Sequence, residues 1–270
     1  LRENGDPAKI ASHKVIMEEK IIGIVAGVGP FAGLDLLSKI LDQTIASSDQ
    51  AHLTIASLSQ PNQIVDRTEY LLGQVTENPA SAFVTQLLKL EQMGAQVTGI
   101  PCNTAHAPAI YDLIREGLRA ANSQLHLLHM IEETAVFLDQ HHPHIQRVGI
   151  LSTTGTYLTR IYTNLLARMG FTTVVPERAM QEEIVHPAVY HPSYGLKATG
   201  TATPTARANL LAAIQALQQK GAQAIILGCT EMPLAITEPA LNGLPIIDPT
   251  FILARALIRE ANPSKLKPLP

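Results

Sequence analysis

Val97-Thr98-Gly99-Ile100-Pro101-Cys102-Asn103-Thr104-Ala105-His106 has a near twin downstream, Ala224-Ile225-Ile226-Leu227-Gly228-Cys229-Thr230-Glu231-Met232-Pro233. Each is a short apolar run that delivers a cysteine to small polar residues and then to a helical pattern, and the chain has no other cysteine. The reading is strand, thiol, helix start. Backbone N–H groups at a helix start favour negative charge, so both thiols are expected to have depressed pKa values. Working outward, the spacing from Cys102 to Cys229 also separates Gly94-Ala95-Gln96 from Gly221-Ala222-Gln223. Ile22-Gly23-Ile24 and Val148-Gly149-Ile150 repeat at one residue less. The chain is therefore an internal repeat.

Within each copy, strands alternate with helices. The first reads as a strand over 21–26, a glycine turn to Pro30, a helix from Phe31, a strand over 52–58, a helix over 82–93 stopped by Gly94, the cysteine strand and a helix over 108–121. A strand over 125–129 and a helix over 131–140 follow. The second copy reads as a strand over 148–151, a helix to Met169, a strand over 171–175, a helix ending at Gly221, the second cysteine strand, a strand over 244–248 and a helix over 250–260. Residues 186–205, rich in proline and glycine, read as an irregular surface flap. This order predicts an α/β fold of two pseudo-symmetric, flavodoxin-like, doubly wound parallel-sheet domains facing a central cleft. The expected division is 21–124 plus 248–270 for the N-terminal domain and 125–247 for the C-terminal one. Residues 1–20 read as disordered or tag-derived, with Met17 a candidate natural start.

Composition narrows the function. A chain of 270 residues with 46% hydrophobic and 16% charged residues describes a compact folded protein. A net charge of -3 and the lack of tryptophan argue against nucleic acid and anionic membrane as partners. The apolar run over 21–37 is broken by glycines, Pro30 and Asp35, and Glu18-Glu19 precede it, so neither a span nor a signal peptide is expected, and the cytoplasm is the expected location. The cysteines show no zinc spacing, and His141-His142-Pro143-His144 reads as a solvated loop, so no metal is expected.

Ligands of parallel sheets sit at the carboxyl ends of the strands, where both cysteines fall. Two halves facing each other would place one thiol on each wall of the cleft. The reaction that needs such a pair is inversion at a carbon acid: one thiolate removes the α-proton from one face and the opposite thiol protonates the other. Asn103, Thr104 and Thr230 are placed either to hold a carboxylate or to cap helices.

The motifs around Cys102 (PCNTAH) and Cys229 (LGCTEMPL) resemble the two signatures of the aspartate/glutamate racemase family. The turn Ala26-Gly27-Val28-Gly29-Pro30 resembles that family's glycine motif, and Gln63-Ile64-Val65-Asp66-Arg67-Thr68 its IPDRT loop, with Val65 in place of proline. Ser152-Thr153-Thr154-Gly155-Thr156 resembles its second-half turn, and Tyr194-Gly195-Leu196-Lys197 its flap. The resemblance implies racemisation of an acidic amino acid without pyridoxal phosphate, metal or nucleotide, in a homodimer. It implies Cys102 and Cys229 as the acid–base pair, with Asn103, Thr104, Thr153 and Thr230 holding the α-carboxylate and amino group. Arg67 and Lys197 would meet the distal carboxylate and Glu231 would line the site, with glutamate there pointing to the aspartate-type branch. The alternatives for Arg67 and Lys197 are a surface salt bridge and a solvated loop lysine. His106 reads as structural.

Three other readings stand beside this one. Gly27-x-Gly29-x-x-x-Gly33 superficially matches a dinucleotide fingerprint, but Pro30 lacks a donor and Leu58-Ser59-Gln60 offers no acid for a ribose. A two-lobed binding protein for small acids would not require two matched cysteines. A related enzyme could act on another carbon acid, by racemising other acids, isomerising maleate or decarboxylating malonates; retention of both cysteines favours racemisation over the single-cysteine decarboxylases that the chain also resembles.

Overall fold

Gly94 and Gly221 occupy left-handed backbone, with φ of 92° and 86°, and each ends the helix before a cysteine strand, as glycine does where a side chain would be strained. Two residues on, Gln96 accepts the Ile21 N–H at 3.3 Å, while Gln223 accepts the Gln146 and Arg147 N–H groups at 2.8 and 2.9 Å. The repeated Gly-Ala-Gln thus stops a helix and ties down the start of the neighbouring strand in both halves.

The computed structural model describes residues 19–269. The expectation for the first 18 residues lies outside them, whereas Lys20 donates its N–H to Ala261 and Glu19 pairs with Lys265. In chain order the first half contains β1 (Ile21–Val25), α1 (Pro30–Gln43), β2 (Ile55–Leu58), α2 (Arg67–Leu71), α3 (Ala80–Gln92), β3 (Ala95–Gly99), α4 (Pro108–Ala120), β4 (His126–Leu127) and α5 (Met130–His141). The second begins with β5 (Arg147–Ser152), α6 (Thr154–Thr159), α7 (Ile161–Arg168), β6 (Thr172–Val174), α8 (Arg178–Met180), α9 (His186–Tyr190) and α10 (Leu196–Thr199). It continues through α11 (Pro204–Gln219), β7 (Ala224–Gly228), β8 (Ala240–Leu241) and β9 (Leu244–Ile247) to α12 (Pro249–Ala261).

The sheets confirm the repeat. One runs β2-β1-β3-β4, all parallel; the other runs β6-β5-β7-β9 in parallel, with β8 added at the edge. Both have the flavodoxin-like order, so each has a crevice at the carboxyl end between its first and third strands. Cys102 follows β3 and Cys229 follows β7, one at each crevice. β8 and β9 are an antiparallel hairpin closed by Asn242-Gly243, both at positive φ, the dipeptide that two-residue hairpin turns favour.

The last helix returns to the first half. Leu253, Ala254 and Leu257 of α12 pack with Ile22, Ile24 and Val97. At the seam, Ile131 and Leu138 of α5 and Ile252 of α12 pack with Val148, Ile150, Ile226 and Ile247 of the second sheet. Among the described residues, no helix is long and apolar enough to cross a membrane.

Several local expectations are corrected. The strand expected over 52–58 begins at Ile55, because 49–51 form a 3-10 turn. The strand expected over 125–129 is only two residues long, because His129 accepts the Glu132 N–H and starts α5. The helix expected to Met169 breaks at Arg160, in left-handed backbone at φ 52°. The expected surface flap is mostly short helices, and Ala188, Val189 and Leu196 are fully buried in the second-half core. Prolines read there as breakers sit in helices: Pro204 lies in the first turn of α11, where no intrahelical N–H is needed, and Pro187 follows a π-turn, Gln181–Val185, within a continuous helical run.

If α12 completes the first-half core, Leu257→Ala should lower unfolding free energy by about 3 kcal/mol, while Leu34→Ala, at a residue 63% exposed, should change it little. Urea denaturation of both variants tests this.

Candidate active site

The strand ends carry the thiols inward, but not as the sequence suggests. Cys102 precedes a 3-10 turn, Asn103–His106, and Cys229 is followed by another, Met232–Leu234. Neither thiol caps an α-helix, so the expected macrodipole effect has no helix behind it. Both sulfurs instead line one cleft with Arg67, Asn103, Thr104, Thr153, Lys197, Thr230 and Glu231. Every site residue expected from the sequence is thus brought to one place. Val28, Gly29, Thr156 and Tyr190 join them.

Arg67 opens α2 and is buried, at 6% exposure. It forms no surface salt bridge; Asp66 is occupied in accepting the Thr68 and Glu69 N–H groups. Its Nη2 donates to the Val28 carbonyl at 2.7 Å and Nη1 to that of Val65 at 3.3 Å, while Nε is buried without a partner among the described residues. Burial works against its charge, but Cys102 and Asp66 beside it hold the proton more firmly than usual. Asn103 accepts the Tyr162 hydroxyl at 2.5 Å and leaves its amide Nδ2 buried and unpartnered. Two unused buried donors lining one cleft point to an anionic ligand.

Lys197, on α10, is not a solvated loop lysine. Its Nζ reaches Glu231 Oε1 at 2.6 Å, and Glu231 Oε2 accepts the Cys229 thiol at 3.0 Å. Burial alone would raise the Glu231 pKa, yet Lys197 holds it below the ordinary carboxylate value. Burial likewise opposes the Lys197 charge, and Glu231 overcomes it. Burial and then Glu231 push the Cys229 thiol well above its usual value, contrary to the expected depression. Gly29, in the glycine turn over 26–30, makes room here: a Cβ would run into Glu231 Oε1.

Cys102 Sγ lies 3.2 Å from Thr104 Oγ1. Behind it, His106 is buried between the two chain segments, with Nδ1 2.8 Å from the Cys102 carbonyl and Nε2 accepting the Met130 N–H at 3.2 Å. These partners assign the tautomer protonated at Nδ1. The cleft is narrow: its free volume of about 10 Å³ holds roughly one water molecule. Tyr190 on α9 bridges to Thr68 on α2 at 3.1 Å, tying the two halves together across the cleft.

Comparison with known proteins decides the lineage. Residues 25–257 match the Asp/Glu/hydantoin racemase family. The chain belongs to that family. An aspartate racemase from Picrophilus torridus shares the fold with a TM-score of 0.75 and 30% identity, over 92% of this chain and 96% of that one. The broad specificity amino-acid racemase RacX of Bacillus subtilis is 26% identical over 88% of this chain and 96% of its own length. A Francisella tularensis glutamate racemase, at 16% identity and a TM-score of 0.61 over 93% of this chain and 85% of that one, shows likeness of fold.

Tyr162 and Tyr190, absent from the expected site of this racemase-family chain, each carry a hydroxyl bond to a cleft residue or its wall. Both lie in helical stretches without any motif. Only the fold could reveal them.

Burial and then His129 lower the His106 pKa from 6.5 to about 3. Between these values the unfolded chain binds a proton that the folded state refuses. The contribution is full above about pH 6.5 and is lost as the pH falls toward 3. The wild-type urea midpoint should fall across that window more steeply than that of His106→Asn; parallel pH profiles would contradict the assignment.

Proposed function

We propose that the protein racemises an acidic amino acid, aspartate first, by proton transfer between Cys102 and Cys229 without a cofactor. The observation that carries this reading is the delivery of two thiols from matched strand ends to one cleft that also holds unused cationic and amide donors. Racemisation requires a base on one face of the α-carbon and an acid on the other. One thiolate takes the α-proton as the opposite thiol supplies another, and the roles exchange for the other enantiomer. Arg67 and the Asn103 amide meet the α-carboxylate, where charge develops as the proton leaves, and Thr104, Thr153 and Thr230 complete its cradle. The narrow cleft leaves little room for water beside the carbanion, and substrate gains access when its walls part.

Charge supports a dicarboxylic substrate. Two cations, Arg67 and Lys197, match two carboxylates, and Glu231 matches the ammonium group. A second reading follows from the Lys197–Glu231 pair: if it stays closed with substrate bound, Arg67 is left to serve one carboxylate, and a monocarboxylic amino acid fits.

Purified protein without added cofactor should convert L-aspartate to the D-enantiomer by chiral chromatography, and Cys102→Ser and Cys229→Ser should each lower the rate by at least about 10²-fold. Turnover of alanine but not aspartate would favour the second reading. No inversion of any amino acid, or full activity in either serine variant, would contradict the two-thiol reading.

A further inference from the structure

The repeat makes the two thiols look interchangeable, but it does not extend to the residue that acts on each sulfur. The spacing that aligns Cys102 with Cys229 aligns Thr104 with Glu231. Both side chains turn back onto their own cysteine, Thr104 Oγ1 at 3.2 Å from Cys102 Sγ and Glu231 Oε2 at 3.0 Å from Cys229 Sγ. A hydroxyl can donate a hydrogen bond to sulfur and so stabilise a thiolate. An ionised carboxylate can only accept, so the contact between Cys229 and Glu231 requires the proton to be there.

Building on the racemase reading, we propose that the resting enzyme is asymmetric: Cys102 is the thiolate that takes the first α-proton, Cys229 is the thiol that delivers one, and Glu231 is the positioning residue that holds the Cys229 proton in place. The surroundings agree on both sides. Cys102 faces Thr104 and the Arg67 cation, whose charge Asp66 also supports. Cys229 faces Glu231, with Lys197, Tyr162 and Tyr190 around it. Among the described residues Lys197 is the cation that acts on Cys229, and Glu231 already takes it up through the other oxygen. Burial pushes both tyrosines above their usual range, so they remain neutral and cannot replace it.

The step balances without an added reactant. The Cα–H bond breaks as its proton passes to the Cys102 sulfur, and the electron pair is taken into the carboxylate-stabilised carbanion. That pair then accepts the Cys229 proton as the S–H bond breaks. The product form of the enzyme carries a Cys229 thiolate against the Glu231 carboxylate, two like charges at contact distance. Loss of the Cys102 proton to water with uptake of one at Cys229, or reverse turnover of the opposite enantiomer, relieves it, so the two protonation forms are unequally populated.

Iodoacetamide, a small neutral reagent that enters as substrate does when the cleft walls part, reads out the thiolate at each position in substrate-free protein. Peptide mass spectrometry should show Cys102 alkylated at least about tenfold faster than Cys229 at pH 7, because each pKa unit changes the thiolate fraction tenfold below the midpoint. The rate–pH midpoint for Cys102 should be the lower of the two, a comparison that separates ionisation from access. Glu231→Thr, which gives the second half the hydroxyl of the first, should bring the Cys229 midpoint down toward that of Cys102. Glu231→Gln, closer in shape, should shift it the same way. Equal midpoints in the wild type, or a lower one for Cys229, would overturn the resting assignment, and a Cys229 midpoint unmoved in both variants would overturn the role of Glu231. None of these measurements uses turnover, so their failure is distinct from failure of the racemase reading.

Discussion

Glu231 is a carboxylate taken almost wholly out of water, at 2% exposure, and much of the cleft is arranged around keeping it charged. An isolated buried carboxylate would cost several kcal/mol and would protonate instead. Lys197 prevents this by reaching Oε1. That reach obliges residues 186–203 to fold back as short helices on the second-half core. Gly29 has to lack a Cβ, and the first-half turn after β1 is thereby drawn against the second half. The same carboxylate leaves Oε2 for Cys229. One desolvated charge thus links the flap, the glycine turn and a thiol.

The fold was legible because its signals are backbone requirements. Left-handed glycines at 94 and 221, each followed by a glutamine that caps a neighbouring strand, repeat with the two cysteine runs, and strand–helix alternation supplies the rest. Most of the expected site residues reached the cleft because they follow the ends of β3, β5 and β7, where parallel sheets of this order open, while Arg67 and Lys197 come in on α2 and α10. What could not be read was set by distance along the chain. Tyr162 meets Asn103 and Tyr190 meets Thr68 across very long separations, and no local pattern encodes either pair. The flap was misread for a different reason. Proline stops a helix in its interior but is well suited to its first turn, and without the tertiary core that covers Val189 and Leu196 the two cases look alike. The Asn242-Gly243 hairpin was legible and was missed.

No α-helix start stands behind either thiol. Each cysteine is followed by a 3-10 turn, too short to build a macrodipole, and what governs the sulfurs is their immediate neighbours. Arg67 and Thr104 lie beside one; Glu231, backed by Lys197, lies beside the other. A scaffold made of two like halves therefore supplies opposed positions, while single residues at equivalent places give those positions different chemistry. The fold provides the geometry and the side chains break its symmetry.

The central claim is that two groups on opposite walls handle the α-proton. Its most direct test is the isotopic content of both enantiomers during the first turnovers of L-aspartate in D₂O, followed by NMR with chiral separation. The account predicts D-aspartate fully deuterated at Cα from the outset, with the remaining L-aspartate still protonated. Deuterium entering L-aspartate as fast as D-aspartate forms, or the substrate's own proton appearing in the product, would indicate a single base and contradict it.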